Sequence, residues 1–247
     1  MFLKIALLLF LIPSICQADI VTGLVSWYKL NDASGSTAID SGSGAKNGTF
    51  NSAPSWQTNC IRTGCYNNAA NNYINLGNLS SLVSGSWTIN VWFYWNSAQS
   101  AERQLYSAFT SPNELGLSII PGSPNHFRSF CSASGSSNNL YDSTTAVNVG
   151  QWYMYTIVFD NSAKTRQRYV NGVVDGASVG TTTTLTFPSV TSYIGNNVDQ
   201  GSTRPIDAEI DDFRIYNRAL SAQDVLDLYN SPIIIRNATL NNVTMSN

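Results

Sequence analysis

Residues 87–95 read Trp87-Thr88-Ile89-Asn90-Val91-Trp92-Phe93-Tyr94-Trp95. Every second residue, from Trp87 through Ile89, Val91 and Phe93 to Trp95, is apolar. That is the period of a β-strand with one buried face. The alternate positions include Trp92 and Tyr94, so the second face is not a plain solvent face either. Cover on both faces marks a central strand between two layers.

On either side of this strand the chain breaks into short β segments separated by Gly, Ser and Asn, the pattern of a sandwich or barrel. Residues 24–30 and 73–76 predict strands before it. After it, 152–159 and 168–173 predict a paired unit joined through Asp160-Asn161-Ser162. Asn171-Gly172 is a strong turn signal, because both residues tolerate positive φ. Residues 181–187 are β-branched and polar, and 210–216 predict a late strand. Ser221 is placed to cap one short helix over 222–229, whose apolar residues stand at helical spacing.

The 247 residues are 43% apolar and only 11% charged, under half the charged share of roughly 25% in an ordinary soluble domain. Ser, Thr and Asn together make up nearly a third of the chain. Uncharged polar groups thus replace surface Lys and Glu, as suits a secreted β-rich protein. The net charge is −2 without a Lys/Arg cluster, which argues against binding a phosphate backbone. A single histidine, His126, argues against a Ser-His-Asp triad or a multi-histidine metal site.

Residues 1–18 read as a signal peptide: Lys4, an apolar run over 5–12, Pro13, and Cys16-Gln17-Ala18 at the cleavage position. The apolar run is too short to span a bilayer, and no transmembrane segment follows it. The expected division is a leader (1–18), one domain (19–230) and a tail (231–247). The tail, with Ile233-Ile234-Ile235, could contact a protein partner. An extracellular or periplasmic location follows. Of the three mature cysteines, Cys60 and Cys65 flank a tight loop and are the preferred disulfide pair. Cys131 follows Phe130 in an apolar segment and reads as a buried, inert thiol.

Five segments in order resemble the laminin-G-like jelly-roll family of the concanavalin A-like lectin and glucanase fold. They are Gly23 to Asp32 with Asp40-Ser41-Gly42, Asn47-Gly48-Thr49-Phe50, Tyr73-Ile74-Asn75-Leu76-Gly77, Gly150 to Asp160 with Tyr169-Val170-Asn171-Gly172, and Ile210 to Tyr229. The resemblance implies an all-β fold: a two-sheet antiparallel jelly-roll sandwich with one short C-terminal helix. It also implies a structural calcium ion near Asp211, with Asp212, Asp32 and the Gly48 region as further ligands. Hard oxygens from carboxylates and carbonyls are what Ca²⁺ takes.

Glu209-Ile210-Asp211-Asp212-Phe213-Arg214 is similar to the Glu-x-Asp-x-x-Glu strand of laminarinases and lichenases, but Arg214 stands at the third position. Strict alternation would also place Arg214 on the face opposite Glu209 and Asp211. A lyase set of Tyr106, His126 and Arg128 is the other enzymatic reading. The expectation is a non-catalytic module that binds a glycan or polysaccharide. The alternatives are a structural or adhesive protein acting through its tail and, second, a glycan-cleaving enzyme. Sugar sites combine an aromatic platform with polar groups that fix hydroxyls. Trp27, Trp87, Trp92 and Trp152 fit strand patterns and read as core. Trp56, Tyr66 and Tyr141, set among polar residues, are the candidate ligand contacts.

Overall fold

The computed structural model describes residues 20–69, 71–110, 113–132, 140–181, 184–198 and 203–231. The leader expected over 1–18 and residues 232–247 of the tail lie outside the described residues. The strands, in chain order, are β1 (Leu24–Tyr28), β2 (Thr37–Ala38), β3 (Gly48–Phe50), β4 (Ser55–Gln57), β5 (Cys65–Asn68) and β6 (Ile74–Asn78). There follow β7 (Trp87–Trp95), β8 (Arg103–Thr110), β9 (Asn113–Ile120), β10 (Asn125–Ser132), β11 (Tyr141–Val147) and β12 (Trp152–Asp160). The last are β13 (Thr165–Val170), β14 (Val173–Val174), β15 (Val179–Gly180), β16 (Thr191–Ile194) and β17 (Ala208–Tyr216). Among the described residues one α-helix, α1, covers 222–231, and a single 3-10 turn covers Ser80–Leu82.

The strands form two antiparallel sheets. The nine-stranded sheet runs β14-β13-β12-β7-β17-β5-β4, with β1 also on β17 and β15 also on β13. The eight-stranded sheet runs β11-β10-β9-β8-β16-β6-β3-β2. Strand β7 lies between β12 and β17, in the middle of its sheet. Trp87, Ile89, Val91, Phe93 and Trp95 fill the main core with Leu115, Leu117 and Phe127 of the facing sheet. On its other face Trp92 joins Met154, Val158, Tyr169 and Tyr216, and α1 covers them with Val225 and Leu228. The strand that predicts two layers therefore has cover on both faces, one from a sheet and one from a helix.

Local turn chemistry fixes the ends of these elements. Asn171 and Gly172 have φ of 52° and 81°, the left-handed values that a two-residue hairpin between β13 and β14 needs. Ser221 Oγ accepts from the Asp224 amide at 3.1 Å, and Asp224 Oδ2 accepts from the Ser221 amide at 2.8 Å. This reciprocal cap sets the start of α1.

Two stretches extend the sequence reading. Residues 184–187 form no strand, although Leu185 and Phe187 are buried. Conversely, 103–147 hold four strands of one meander, β8 to β11. Their outward positions carry Ser107, Gly116 and Ser118, alternating with the buried Leu115, Leu117 and Ile119. Cys131 is buried and unpaired with another cysteine, and burial pushes its thiol up to about 12.

Candidate functional site

At the edge of the nine-stranded sheet, β4 and β5 pair with Trp56 opposite Tyr66 and Gln57 opposite Cys65. The chain between them, 58–64, is closed at its base by the disulfide Cys60–Cys65, with Cα atoms 5.6 Å apart. The pairing preferred from the sequence is thus present. The closed loop has two sides.

One side borders a small pocket of about 110 Å³, lined by Asn31, Ala33, Trp56, Gln57, Thr58, Thr63 and Gly64. The Trp56 indole packs against the core through edge-to-face contacts with Phe50 (5.6 Å) and Tyr66 (6.3 Å). Asn31 Nδ2 donates to Thr63 Oγ1 at 3.1 Å, tying the loop after β1 to the disulfide loop. Trp56 and four residues with uncharged hydrogen-bonding side chains therefore line one opening on the surface.

The other side faces the outer surface of β17. The Arg62 amide donates to Asp211 Oδ2 at 3.0 Å, and Arg62 Nε lies 3.1 Å from Asp212 Oδ2. Arg62 Nη2 also donates to Ser231 Oγ at the end of α1, at 3.3 Å. Arg214 Nη2 approaches Asp212 Oδ2 at 2.9 Å, and Trp27 Nε1 donates to Asp212 Oδ1. The Arg214 guanidinium lies 4.7 Å from the Trp27 ring centre and Lys29 Nζ 4.5 Å, both at cation–π distance. Asp211 is fully buried, and burial pushes its carboxyl up to about 7 against the lowering effect of the Arg62 amide. Its Oδ1 accepts no hydrogen bond from the described residues.

A bulge explains why Arg214 belongs to this cluster. The β17–β7 register shifts between Asp211 and Arg214, and Asp212 takes φ of 54°. One extra residue resets the alternation. Phe213 and Ile215 point into the core, and Arg214 shares the outer face with Asp211. The expectation that Arg214 faces away from Asp211 is corrected on this ground.

The remaining candidates separate. Of the three aromatics, Trp56 lines the pocket, whereas Tyr66 (1% exposed) and Tyr141 (8%) belong to the core. The Arg168 guanidinium lies 3.4 Å from the centre of the Tyr141 ring, and the Tyr141 hydroxyl donates to the Ala177 carbonyl. Neither Tyr66 nor Tyr141 offers a free ring face, so both are corrected to packing residues. Trp27 and Trp152 are only partly buried and pack on the outer cluster rather than the main core.

The four expected calcium ligands do not gather either. Gly48 lies in β3 of the eight-stranded sheet, and Asp32 in the loop after β1. Asp211 and Asp212 face the donors of Arg62, Arg214 and Trp27 instead. Among the described residues no three His, Cys, Asp or Glu side chains form a set that could hold a metal ion. These residues do not fit a calcium ion, which would have to displace two guanidinium groups.

Enzymatic sets fare similarly. Glu209 is half-buried, 3.8 Å from Cys65 Sγ, and burial raises its carboxyl above the ordinary range. Tyr106 is fully buried and donates to Ser192 Oγ at 3.0 Å, while Arg128 is engaged by Asp142 on the outer face of β10. The lyase trio is therefore split between two faces of one sheet.

Sequence reasoning missed Asn31, Gln57, Thr58, Thr63 and Arg62. Thr58 and Thr63 each stand two residues before a cysteine, a usable local signal. Asn31 joins them from a distant loop, which no local pattern announces.

The concanavalin A-like lectin/glucanases superfamily, in its laminin G type 3 form, matches residues 66–226. The chain belongs to this superfamily. Its members share the two-sheet sandwich seen here, and the fold serves binding modules and glycosidases alike. No curated protein matches the chain. Among solved structures it is similar to domain 4 of AbnA, a GH43 extracellular arabinanase from Geobacillus stearothermophilus, in complex with arabinotriose. That likeness has a TM-score of 0.64 at 22% identity and covers 83% of this chain and 98% of that domain. It is also similar to Trypanosoma rangeli sialidase, with a TM-score of 0.63, 16% identity, and 86% of this chain against 33% of that one. The botulinum neurotoxin serotype D binding domain gives 0.63 and 16%, covering 86% and 51%. The chain thus spans a third of the sialidase and about half of the toxin domain. At these identities the likeness shows the fold.

Proposed function

We propose that this protein is a secreted, non-catalytic carbohydrate-binding module and that a sugar seats against Trp56. The observation that carries the reading is the pocket itself. An indole supported by Phe50 and Tyr66 lies beside Asn31, Gln57, Thr58 and Thr63. Apolar ring faces and hydroxyl-directed polar groups are the two halves of saccharide recognition. That domain 4 of the arabinanase was solved with arabinotriose supports a glycan as ligand class for this fold. The disulfide, and the absence among the described residues of a helix long and apolar enough to cross a membrane, fit an extracellular site of action.

The non-catalytic half rests on the carboxylates of β17. A retaining glycosidase needs two carboxyl groups about 5 Å apart on either side of an accessible bond. Here Asp211 is sealed under the Arg62 backbone, Asp212 is paired with two arginines, and Glu209 stands beside the disulfide. A sugar ring has no approach to a pair of them.

Affinity electrophoresis through gels cast with neutral polysaccharides tests the reading. Retardation by at least one polysaccharide, lost in Trp56→Ala and without shortening of the polysaccharide, is the expected result. Retardation unchanged in Trp56→Ala moves the site elsewhere. Release of reducing ends revives the enzyme.

A further inference from the structure

The pocket beside Trp56 has two properties that narrow its ligand. The first is charge. All seven lining residues are uncharged. The lining comes from three short segments, 31–33, 56–58 and 63–64, and the one charged residue inside them is Asp32, which is acidic. The two nearby cations in sequence are committed elsewhere. Arg62 turns to Asp212 and Ser231, and Lys29 sits over the Trp27 ring. A carboxylate or sulfate on a ligand would lose water here and gain no cation, and an unpaired desolvated charge is costly. The second property is size. About 110 Å³ is well below the roughly 300–1,000 Å³ of sites that enclose drug-sized ligands, so it has room for no more than about one sugar unit.

We infer that the pocket bordered by Trp56 and the Cys60–Cys65 loop recognises a single neutral sugar unit of a glycan, excluding uronic, sialic and sulfated units. This inference rests on the carbohydrate reading of the same pocket and adds the class of sugar and the length recognised. Hydroxyl groups bind Asn31, Gln57, Thr58 and Thr63, and the apolar face of the ring covers the indole. The Asn31–Thr63 hydrogen bond ties the two walls together.

Ligand-observed NMR titrations separate the outcomes. The probes are methyl glycosides of glucose, galactose and mannose, each matched with its uronate, together with arabinose and arabinotriose. The expected result is binding of at least one neutral member with its uronate at least tenfold weaker. Affinity should also change by no more than about threefold between arabinose and arabinotriose, if these bind. Trp56→Ala should abolish the signal. Gln57→Lys, an exchange at the pocket wall that spares the core, should narrow the gap between neutral sugar and uronate. A uronate that binds as tightly as its neutral partner, or a gain above tenfold from one unit to three, overturns this inference. If that binding still depends on Trp56, the carbohydrate reading of the pocket survives. Binding indifferent to Trp56→Ala in a variant that keeps its thermal transition, or no binding by any probe, overturns the pocket reading and this inference together.

Discussion

The loop closed by Cys60–Cys65 presents opposite chemistry on its two sides. Toward β17 it delivers Arg62 into a buried set of Asp211, Asp212, Arg214 and Trp27. Toward solvent it lends Thr58, Thr63 and Gly64 to an uncharged pocket. In a chain with so few charged residues, the charges here are internal struts and the pocket is left to hydroxyls, amides and an indole. Burial makes an ion pair sensitive to the loss of either partner, which suits an anchor. An uncharged rim avoids the desolvation that a charged one would impose on a neutral ligand.

The anchor side predicts the largest effect. Asp212 is 1% exposed and faces Arg62, Arg214 and the Trp27 indole. Asp212→Ala leaves two guanidinium groups without their carboxylate and places alanine at positive φ. Removing one partner of a buried pair costs about 3–5 kcal/mol. Denaturant unfolding should show a loss of that size, with sugar affinity falling because Arg62 no longer fixes the loop. A loss below 1 kcal/mol would mean that the carboxylate is not the anchor. Asp212→Asn, which tolerates the backbone conformation, should recover part of the loss and so divide charge from strain.

The disulfide comes next. Cys60→Ser with Cys65→Ser opens a ring of five-residue separation, for which the chain-entropy account gives about 2 kcal/mol. Because Arg62 and the Asn31–Thr63 bond also hold the loop, the fold should persist while sugar affinity drops. Retained affinity together with lost stability would show that the anchor alone positions the pocket wall.

The contrast between the two sides also tracks what was legible in the sequence. Strand β7 announced itself because period-two burial is a local signal, and Asn171-Gly172 and Ser221 did so through turn and cap chemistry. Trp56 was legible as an aromatic among polar neighbours, but so were Tyr66 and Tyr141, and only pairing decides which ring turns inward. Tyr66 enters the core on β5, beside a buried Asn68 whose Nδ2 donates to the Gly195 and Ile206 carbonyls. A polar residue satisfied in this way looks like a loop in sequence and a strand in space. The anchor was misread for a related reason. Glu209, Asp211 and Arg214 count out as a strand motif until one bulged residue, Asp212, resets the alternation. Nothing within the motif shows that Arg62, 149 residues upstream of Asp211, supplies the counter-charge that calcium was expected to supply.

The effect that only a change of pH reveals concerns the sealed carboxyl of Asp211. Its pKa in the fold is raised to about 7 by burial, against about 3.9 for an unfolded aspartate. Between these values the folded protein holds a proton that the unfolded chain releases. The stability that this group contributes is complete below about pH 4 and is lost as the pH rises through about 7. The loss is at most about 1.4 kcal/mol per pH unit inside that window. Asp211→Asn keeps a carbonyl oxygen to accept from the Arg62 amide and removes the ionisation. The variant should match the wild type near pH 4, and its advantage should grow with pH, so that at pH 8 it is the more stable protein. Other carboxylates titrate in the same range, so the readout is the difference between the two proteins in guanidinium unfolding at each pH. A difference that does not change between pH 4 and 8 would mean that Asp211 is ionised in the fold. Arg62 and Arg214 would then both serve Asp211 as well as Asp212, and the anchor would be a two-carboxylate, two-guanidinium square. A difference that grows as expected makes Asp211 a neutral hydrogen-bond acceptor. The charge on the anchor side then reduces to Asp212 and the two arginines that hold the loop.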